Sequence, residues 1–483
     1  MTSEEFHDLL NQIKNMRCET QTLELKSARM GCPKRLYDTL SSFSNQDDGG
    51  IIVFGIDEQH DYAQSGVYDA QDLQKKVNEQ CLQMEPVVRP LMTVAEKDGN
   101  HFVAAEIPGM DLVDRPCYYK GQGRLKGSYA RIGDSDEPMT EYEIYSYEAF
   151  RKKYQDDIRG VRRASLSALN GERMTEYIRR LQTGKPNLSH LPAQDIYELM
   201  SLVRDGEVTL SAAMLFGLYP QAYFPQLCIT AIVVPGTEIG EVGEMGERFL
   251  DNERIEGSIP EMLEGALQFV RRNMKTRTII HPDSGRREDR TDYPMTAVRE
   301  AIINALVHRD YSMHTEGMPI QIRMFEDRME IHNPGGIYGR LRIDQLGKMQ
   351  PDTRNPVLAA ALEVLGVTEN RYSGIPTIRR EFAECGMRAP EFFSERGHFT
   401  VKFYMESRKS ANMVQDSSGY IYDLLAFCRT PRTRKEICDF LGLSSMSYAI
   451  QLYVMPLVEQ GLIKLTIPDK PKSPKQLYYS LST

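Results

Sequence analysis

The stretch YPMTAVREAIINALVHRDY, residues 293–311, decides how this chain of 483 residues is interpreted. Pro294 suits the first turn of a helix, because its missing N–H costs nothing there. Glu300, Asn304 and His308 follow at four-residue steps, which places them in one line along the border of an apolar face. That face recurs at three- and four-residue spacing and consists of Met295, Val298, Ala301, Ile302, Ala305 and Leu306.

The polar line has the residue types of a metal–phosphate site. Asn304 can offer a carbonyl oxygen to Mg²⁺, a hard cation that takes oxygen ligands and keeps waters. Glu300, one turn earlier, can orient or deprotonate an attacking water. The same spacing fits a helix whose polar border is simply solvated, so the helix alone leaves both interpretations open.

Two glycine-containing segments follow the helix, IHNPGGI at 331–337 and ENRYSGIPTI at 369–378. Glycine lets the backbone approach a ligand closely. Together with the helix they resemble the ATP-binding domain of the gyrase, chaperone and histidine-kinase superfamily, in its branch of bacterial transcriptional regulators. The residues that match the four ordered motifs of that branch are Glu300, Asn304, Ala305, His308, Arg309, Asp310, Tyr311, Asn333, Pro334, Gly335, Gly336, Arg354, Asn355, Pro356, Gly374, Ile375 and Pro376.

The resemblance implies an ATP- and Mg²⁺-binding domain, with Asn304 on the metal and Glu300 as the catalytic residue of a weak ATPase. Residues 340–356 are interpreted as a lid, or alternatively as a plain surface loop. The wider superfamily reads the adenine amino group with an Asp, and Asn333 stands nearest that place, so adenine specificity is open. The expected cofactor contacts are Asn304, Asn333, Gly335, Gly336, Ser373, Gly374, Lys348 and Arg354.

The front of the chain carries another set of motifs, which resembles the Schlafen-type DNA-binding domain. Its pattern is E-x-x-x-x-E-x-K, then a Gly pair followed by a G-[IV]-D strand, then Y-x-R-x-G. The spacer before the Gly pair, residues 45–48, is one residue longer than usual. The matching residues are Glu19, Glu24, Lys26, Gly49, Gly50, Gly55, Asp57, Tyr129, Arg131 and Gly133.

This resemblance implies DNA as a partner, with RNA as a second candidate. Residues 118–135 are predicted to form a hairpin with a basic, Gly-rich tip, although such a hairpin could also be only solvated. Some Schlafen relatives use three carboxylates to bind a divalent metal and cut RNA, and Glu19, Glu24 and Asp57 are the candidates here. Glu24 could equally pair with Lys26. The predicted nucleic-acid contacts are Lys120, Arg124, Lys126 and Arg131.

Residues 419–483 look like a winged helix, with three helical stretches before a strand pair. Eight basic and five acidic residues give positions 420–483 a net charge of +3, although the whole chain carries −9. Winged helices bind DNA or proteins, and both alternatives are open. The predicted phosphate contacts are Arg432, Arg434, Lys470, Lys472 and Lys475.

The length indicates several domains, and the resemblances imply an α+β multidomain protein, which the cysteine pattern places in the cytoplasm. The predicted domains are 1–155 (Schlafen-like α/β), 156–225 (a helical insert), 226–406 (the ATP-binding sandwich) and 419–483. Eight Cys without C-x-x-C spacing indicate reduced thiols. No apolar run is long enough to span a bilayer, and no P-loop motif is present.

The leading functional hypothesis is an ATP-binding and DNA-binding transcriptional regulator. A ligand shifts a conformational equilibrium when it binds the two states differently, so nucleotide state could bias the flanking DNA-binding domains. One alternative is a metal-dependent nuclease at Glu19, Glu24 and Asp57. Another is a nucleotide-sensing scaffold without DNA binding. The oligomeric state, a homodimer included, is open.

Overall fold

The computed structural model of the chain describes residues 1–280, 287–368, 373–395, 397–405, 424–425, 427–441, 450–459, 462–466 and 476–480. It divides into two compact units, Met1–Tyr404 and Met405–Thr483. Helices and several separate sheets alternate along the chain, which confirms the predicted mixed, multidomain fold class. Within these described ranges, no helix is both long and apolar enough to cross a membrane.

The front domain is built on a four-stranded sheet of order β1-β2-β7-β6, in which β1 pairs parallel to β2 and the other pairs are antiparallel. Its strands are Leu23–Lys26 (β1), Gly50–Phe54 (β2), Ile56–Asp57 (β3), Ala63–Gln64 (β4), Met84–Glu85 (β5), Leu91–Lys97 (β6), Asn100–Ile107 (β7), Tyr118–Tyr119 (β8), Tyr129–Ile132 (β9) and Ser135–Pro138 (β10). Its helices are Ser3–Met16 (α1), Tyr37–Ser44 (α2), Ala70–Cys81 (α3), Gly123–Gly127 (α4) and Glu141–Lys152 (α5).

Both faces of this sheet are covered by helices. Side chains of a strand alternate between the two faces, so neighbouring residues enter different cores. Ile52 and Phe54 point into a core shared with α2 and α3, whereas Val53 points into a core shared with α1. The first helix is fixed at its start by a capping box, in which Thr2 and Glu5 bond each other's backbone N–H groups. The sheet is therefore a rigid base for the loops at its edges.

The predicted hairpin over residues 118–135 is present only as a single antiparallel bridge between Tyr118 and Ser128. Strand β8 pairs with β5, α4 follows as a short helix, and the regular hairpin joins β9 to β10. Arg124 on α4 makes an ion pair with Glu148 on α5, a contact across 24 residues that local sequence does not reveal. Tertiary contacts therefore override the Gly-rich turn pattern here.

A connecting segment joins the front domain to the next large sheet. Its helices are Gly171–Gly184 (α6), Ala193–Leu199 (α7) and Leu210–Phe216 (α8), and a two-stranded ribbon forms from Val203–Arg204 (β11) and Glu207–Val208 (β12). Helix α8 is buried throughout. It therefore acts as core between its neighbours, as its apolar pattern allows.

The second sheet has six strands in the order β14-β13-β17-β18-β20-β19, with only β13 and β17 parallel among its pairs. The strands of this region are Ile229–Val233 (β13), Asp251–Ile255 (β14), Thr276–Ile280 (β15), Arg287–Thr291 (β16), Ile320–Met324 (β17), Arg328–Pro334 (β18), Glu391–Glu395 (β19) and His398–Tyr404 (β20). Its helices are Ile259–Asn273 (α9), Met295–His308 (α10), Pro356–Val364 (α11) and Gly374–Glu384 (α12).

Helix α10 is the central helix on this sheet and packs against α9, α12 and β18. Helix α12 reaches the sheet through Phe382, whose ring lies 4.7 Å from that of Phe403. The strands predicted over residues 318–332 are present as β17 and β18, joined at 326–327. The sheet and α10 thus form two walls around the polar line of α10.

Asp157 fastens the connecting segment to α11. Its carboxylate is fully buried and accepts hydrogen bonds from the N–H groups of Val357 (2.9 Å) and Leu358 (3.2 Å) in the first turn of α11. Burial raises the pKa of this carboxyl to about 6, although the two N–H donors lower it in part. The Asp157 carboxylate is therefore well placed to cap the first turn of α11, but its burial makes the ionised form unfavourable.

Asp157→Asn keeps an oxygen that can accept the two hydrogen bonds from α11, whereas Asp157→Ala does not. The free energy of unfolding of the Ala variant should therefore be about 2 kcal/mol lower than that of the Asn variant. Because the folded pKa is raised, the wild type should lose stability as the pH rises from about 4 to about 6, whereas Asp157→Asn should not. Urea unfolding of the three proteins at pH 4.5 and pH 7.5 measures both effects. Equal stability of the Ala and Asn variants would show that the hydrogen bonds from α11 to residue 157 do not stabilise the fold.

The second unit contains a three-stranded sheet of order β21-β23-β22 around its own apolar core. Its strands are Arg432–Thr433 (β21), Ile463–Leu465 (β22) and Leu477–Ser480 (β23), and its helices are Arg434–Phe440 (α13) and Met455–Glu459 (α14), the latter preceded by a π-helical turn at Ile450–Val454. The predicted strand pair is present as β22 and β23, and parts of the second and third predicted helical stretches are α13 and α14, whereas much of the first stretch, 420–428, lies outside the described residues.

Candidate functional site

A cavity of about 470 Å³ opens between α10, α12 and the sheet. The three polar residues of α10 predicted from spacing all line it. The α10 residues Ile303 and Val307 are also buried, so the helix is enclosed on more sides than the single predicted apolar face. Other lining residues are Asn333, Gly335, Gly336, Tyr338, Leu341, Leu346, Gly347, Ser373, Gly374 and Arg380.

Glu300 and Asn304 face the first turn of α12. A Cβ atom added to Gly374 would lie 2.6 Å from Asn304 Nδ2 and 3.2 Å from Glu300 Oε2, so only glycine permits this approach. The exposed N–H groups of a helix N-terminus carry partial positive charge and favour anions. One end of the cavity therefore combines a carboxylate, a carboxamide and a helix N-terminus.

The turn at Gly335 and Gly336 forms another part of the lining. Gly335 has φ +101°, a conformation that residues with a Cβ rarely adopt. A Cβ there would also lie 2.7 Å from that of Asp310 and would overlap the Arg354 guanidinium. The turn is therefore both conformationally and sterically restricted to glycine.

Asn333 lies on β18 at the cavity wall and is 4% exposed. Its Oδ1 atom accepts no hydrogen bond from any described residue. A buried polar atom without a partner is costly, so such an atom beside a cavity indicates a donor that a ligand could supply.

Arg354 and Lys348 do not line the cavity. Arg354 makes an ion pair with Asp310 (3.3 Å) and donates a hydrogen bond to the Gly336 carbonyl (3.3 Å), so it holds the glycine turn from behind. Lys348 is exposed on the segment predicted as a lid. That segment does reach the cavity, but through Leu341, Leu346 and Gly347.

His308 is neutral at physiological pH. It keeps solvent contact at the cavity, but the protein around it, and then the charge of Arg354, lower its pKa to about 4. It therefore contributes no positive charge toward a bound anion.

Two motif residues have packing roles that sequence reasoning did not assign. Asn355 Nδ2 donates hydrogen bonds to the carbonyls of Val307 and Arg309, both at 2.8 Å, and so fastens the end of α10. The buried Arg309 side chain donates to the carbonyls of Thr315 (3.0 Å) and Met318. These contacts fix where His308 and the residues before it point.

The four basic residues predicted to bind nucleic acid at the front domain divide into two groups. Lys126 on α4 is exposed. The other three pair with carboxylates, and Arg131 is buried. These pairs are Lys120 with Glu85 at 3.4 Å, Arg124 with Glu148, and Arg131 with Glu24 at 2.8 Å and Asp136 at 2.9 Å.

Each of the three candidate nuclease carboxylates has partners of its own, although the charge of Glu24 acts on Glu19. Glu24 pairs with Lys26, the alternative left open above, and also with Arg131. Asp57 accepts a hydrogen bond from Gln59 N (3.1 Å) and pairs with His60 (3.0 Å). Glu19 accepts from Leu25 N (2.7 Å), and burial raises its pKa to about 7. Among the described residues, no group of three or more His, Cys, Asp or Glu could hold a metal ion.

In the second unit, the two arginines predicted to contact phosphate lie against aromatic residues. The Arg432 guanidinium is 4.3 Å from the centre of the Phe427 ring and pairs with Glu436 at 3.6 Å. Arg434 Nε donates to Tyr478 Oη at 3.2 Å. Lys470, Lys472 and Lys475 lie outside the described residues.

Three family models match successive parts of the chain. Residues 19–140 match the family described as "Schlafen, AlbA_2". Residues 317–403 match "Putative ATP-dependent DNA helicase recG C-terminal", a family of the histidine-kinase-type ATPase (HATPase) class. Residues 421–481 match "Filamentation induced by cAMP protein Fic-like, C-terminal domain".

Among solved structures, the chain is similar to a Corynebacterium diphtheriae protein at 17% identity and a TM-score of 0.40, covering 95% of this chain and 92% of that one. It is also similar to the N-terminal domain of a "putative ATP-dependent DNA helicase RecG-related protein" from Nitrosomonas europaea, at 27% identity and a TM-score of 0.23, covering 28% of this chain and 92% of that one. No curated protein matches the chain. The three family matches show that the chain combines, in order, a Schlafen AlbA_2 domain, a RecG-like HATPase domain and a Fic-like C-terminal domain.

Proposed function

We propose that this protein binds Mg²⁺–ATP in the cavity beside α10 and is a regulator whose nucleotide state acts on nucleic-acid-binding domains. The observation that carries the proposal is the placement of Glu300 and Asn304 against the first turn of α12, with Gly335 and Gly336 also lining the same cavity. The match of residues 317–403 to a HATPase family supports it independently.

The cavity suits a nucleoside triphosphate in size and polarity. Its volume of about 470 Å³ falls within the usual range for small-molecule sites. The α12 N-terminus favours the phosphates, and the missing Cβ atoms of Gly336 and Gly374 let a ligand approach the backbone closely. Arg380 on α12 also lines the cavity and adds a basic side chain to these features.

The donor set also fits Mg²⁺. Asn304 would hold the ion through its carbonyl oxygen, and phosphates and waters would complete a shell of oxygen ligands. Bound Mg²⁺ neutralises phosphate charge. Glu300 lies one turn from Asn304 and is the residue suited to accept a proton from an attacking water. Any hydrolysis would therefore depend on Glu300.

Asn333 is suited to contact the base. Its unpartnered Oδ1 can accept a hydrogen bond from the exocyclic amino group of adenine. Rotation of the carboxamide would present Nδ2 instead, which could donate to the carbonyl oxygen of guanine. An ionised Asp at this position could accept hydrogen bonds but not donate them. With Asn333 the protein should therefore prefer ATP over GTP less strongly than it would with Asp.

Thermal unfolding of the full chain with ATP, ADP and GTP, each with and without Mg²⁺, tests nucleotide binding. Binding to the folded state raises the melting temperature by mass action. We expect millimolar Mg²⁺–ATP to stabilise most, and GTP to stabilise less but measurably. No stabilisation by any of these nucleotides would mean that the fold is present here without its ligand.

The proposal that the protein binds nucleic acid rests on the AlbA_2 match and on the exposed, positively charged side chain of Lys126. Replacing Lys126 with Ala should weaken binding of the full chain to a fluorescent 30-base-pair duplex. It should also reduce the slope of log affinity against log salt by about one unit, as expected for one lost phosphate contact.

Lys185→Ala is the matched control for this measurement, because Lys185 is an exposed lysine just after α6. It should change neither affinity nor slope. Identical affinity and salt slope in both variants would show that Lys126 on α4 does not contact the duplex. We do not propose nuclease activity, because Glu24 is buried and already pairs with Lys26 and Arg131.

A further inference from the structure

Helix α5 belongs to the front domain, yet three of its aromatic residues contact segments beside the nucleotide cavity. Tyr142 Oη donates a hydrogen bond to Asp310 Oδ2 at 2.7 Å, across 168 residues of sequence. The Tyr145 ring centre lies 4.4 Å from that of His314. The Phe150 ring centre lies 5.5 Å from that of Tyr338, which lines the cavity.

Tyr142 lies directly behind the glycine turn. A Cβ added to Gly397 would overlap the Tyr142 ring, so the ring fills the space that this glycine leaves. The Gly397 carbonyl accepts a hydrogen bond from Gly335 N at 2.7 Å. A second route runs through Asp310 to Arg354, which donates to the Gly336 carbonyl. The phenol is thus connected to both glycines of the turn.

Asp310 is a buried, charged residue that holds Tyr142 and Arg354 together. It is 4% exposed, and although burial alone raises its pKa, the charge of Arg354 and the Tyr142 hydroxyl hold that pKa below its usual value. The buried carboxylate is therefore ionised and needs its partners. Separating a buried ion from its partner is strongly unfavourable, so Asp310 should move with Arg354 when the glycine turn shifts.

The lid segment provides a second contact between the two domains. Arg342 pairs with Asp48 (3.2 Å) and approaches Asp47 (3.9 Å), within the spacer that is one residue longer than usual in the Schlafen pattern. Asp47 also pairs with the buried Arg115 at 2.7 Å. Leu341, beside Arg342, lines the cavity. The lid is thereby tied to a fixed loop of the front domain.

From these contacts we infer that α5 transmits occupancy of the nucleotide cavity to the front domain, through Tyr142, Asp310 and Arg354. The inference rests on the proposed binding of Mg²⁺–ATP. A ligand that orders or displaces Gly335 and Gly336 changes the position of Arg354, and the Asp310–Tyr142 hydrogen bond carries that change into α5. Since coupling is reciprocal, a ligand of the front domain that restrains α5 alters nucleotide affinity by the same factor.

Hydrogen–deuterium exchange of the full chain, with and without saturating Mg²⁺–ATP, tests the inference. In the wild type, we expect amides of α5 to exchange about fivefold more slowly when nucleotide is bound, which is the lower end of coupling between protein sites. Tyr142→Phe keeps the ring beside Gly397 and removes only the hydroxyl. It should bind Mg²⁺–ATP within about threefold of the wild type, because Tyr142 does not line the cavity, and should lose the response of α5.

Tyr145→Phe is the matched control, since it makes the same change on the same helix and its hydroxyl bonds Asp156 (3.0 Å) instead of Asp310. It should keep the response. Two results overturn the inference while leaving nucleotide binding intact: protection of the cavity peptides without any change in α5, or an unchanged α5 response in Tyr142→Phe. Exchange unaffected everywhere, with no binding by calorimetry, would overturn the proposed function as well.

Discussion

Replacing Asn304 with Ala should lower the affinity for Mg²⁺–ATP by about 10- to 100-fold, which corresponds to the 1.5–3 kcal/mol of a contact to a charged group. Asn304 faces the cavity at the first turn of α12, and no other lining residue of α10 offers a carbonyl oxygen on its side chain at that place. The loss should be smaller when EDTA removes the metal. Isothermal titration calorimetry of the full chain measures both values.

Asn252→Ala is the control for this prediction. Asn252 is an exposed residue on the edge strand β14 of the same sheet, so its loss should leave affinity and enthalpy unchanged. Equal Mg²⁺-dependent affinity of Asn304→Ala and the wild type would remove Asn304 from the metal site. The fold should survive, because the side chain is only half-buried and faces the cavity.

Replacing Gly335 with Ala should abolish measurable Mg²⁺–ATP binding and lower the melting temperature by several degrees. Two costs combine: a left-handed backbone, φ +101°, and overlap of the new Cβ with Asp310 and Arg354. Strain of this backbone type costs about 1–3 kcal/mol, and overpacking adds about 1–3 kcal/mol. Thermal unfolding with and without nucleotide separates the loss of stability from the loss of binding.

Gly386→Ala provides a close comparison. Gly386 follows α12 in the same domain with φ +66°, but a Cβ there would meet nothing within 4 Å. It should therefore show the backbone cost alone and keep nucleotide binding. If both alanine variants lose binding equally, general destabilisation and not the glycine turn would explain the effect of Gly335→Ala.

Sequence periodicity was sufficient for the elements that enclose the cavity. Strands β17 and β18 alternate between apolar and polar residues because one face packs under the helices. The four-residue spacing of Glu300, Asn304 and His308 placed them on one side of α10, and all three line the cavity. Spacing within one helix is a local property, so it survives folding.

Contacts between distant residues could not be predicted in this way. The charge of Arg124 suggested phosphate binding, but which carboxylate it meets depends on α5 lying beside α4. The R-N-P motif was recognised, yet the role of Asn355 as a clamp on the end of α10 needs the folded chain. No periodicity marks Tyr142, because its partner Asp310 lies in another domain.

A crystal structure of the full chain with Mg²⁺ and a non-hydrolysable ATP analogue tests the central claim most directly. We predict density for the triphosphate between the Gly335–Gly336 turn and the first turn of α12. A metal should lie about 2.1 Å from Asn304 Oδ1, the usual distance for Mg²⁺ and oxygen. An empty cavity at a saturating concentration of the analogue, or a nucleotide bound away from Asn304, would contradict the account.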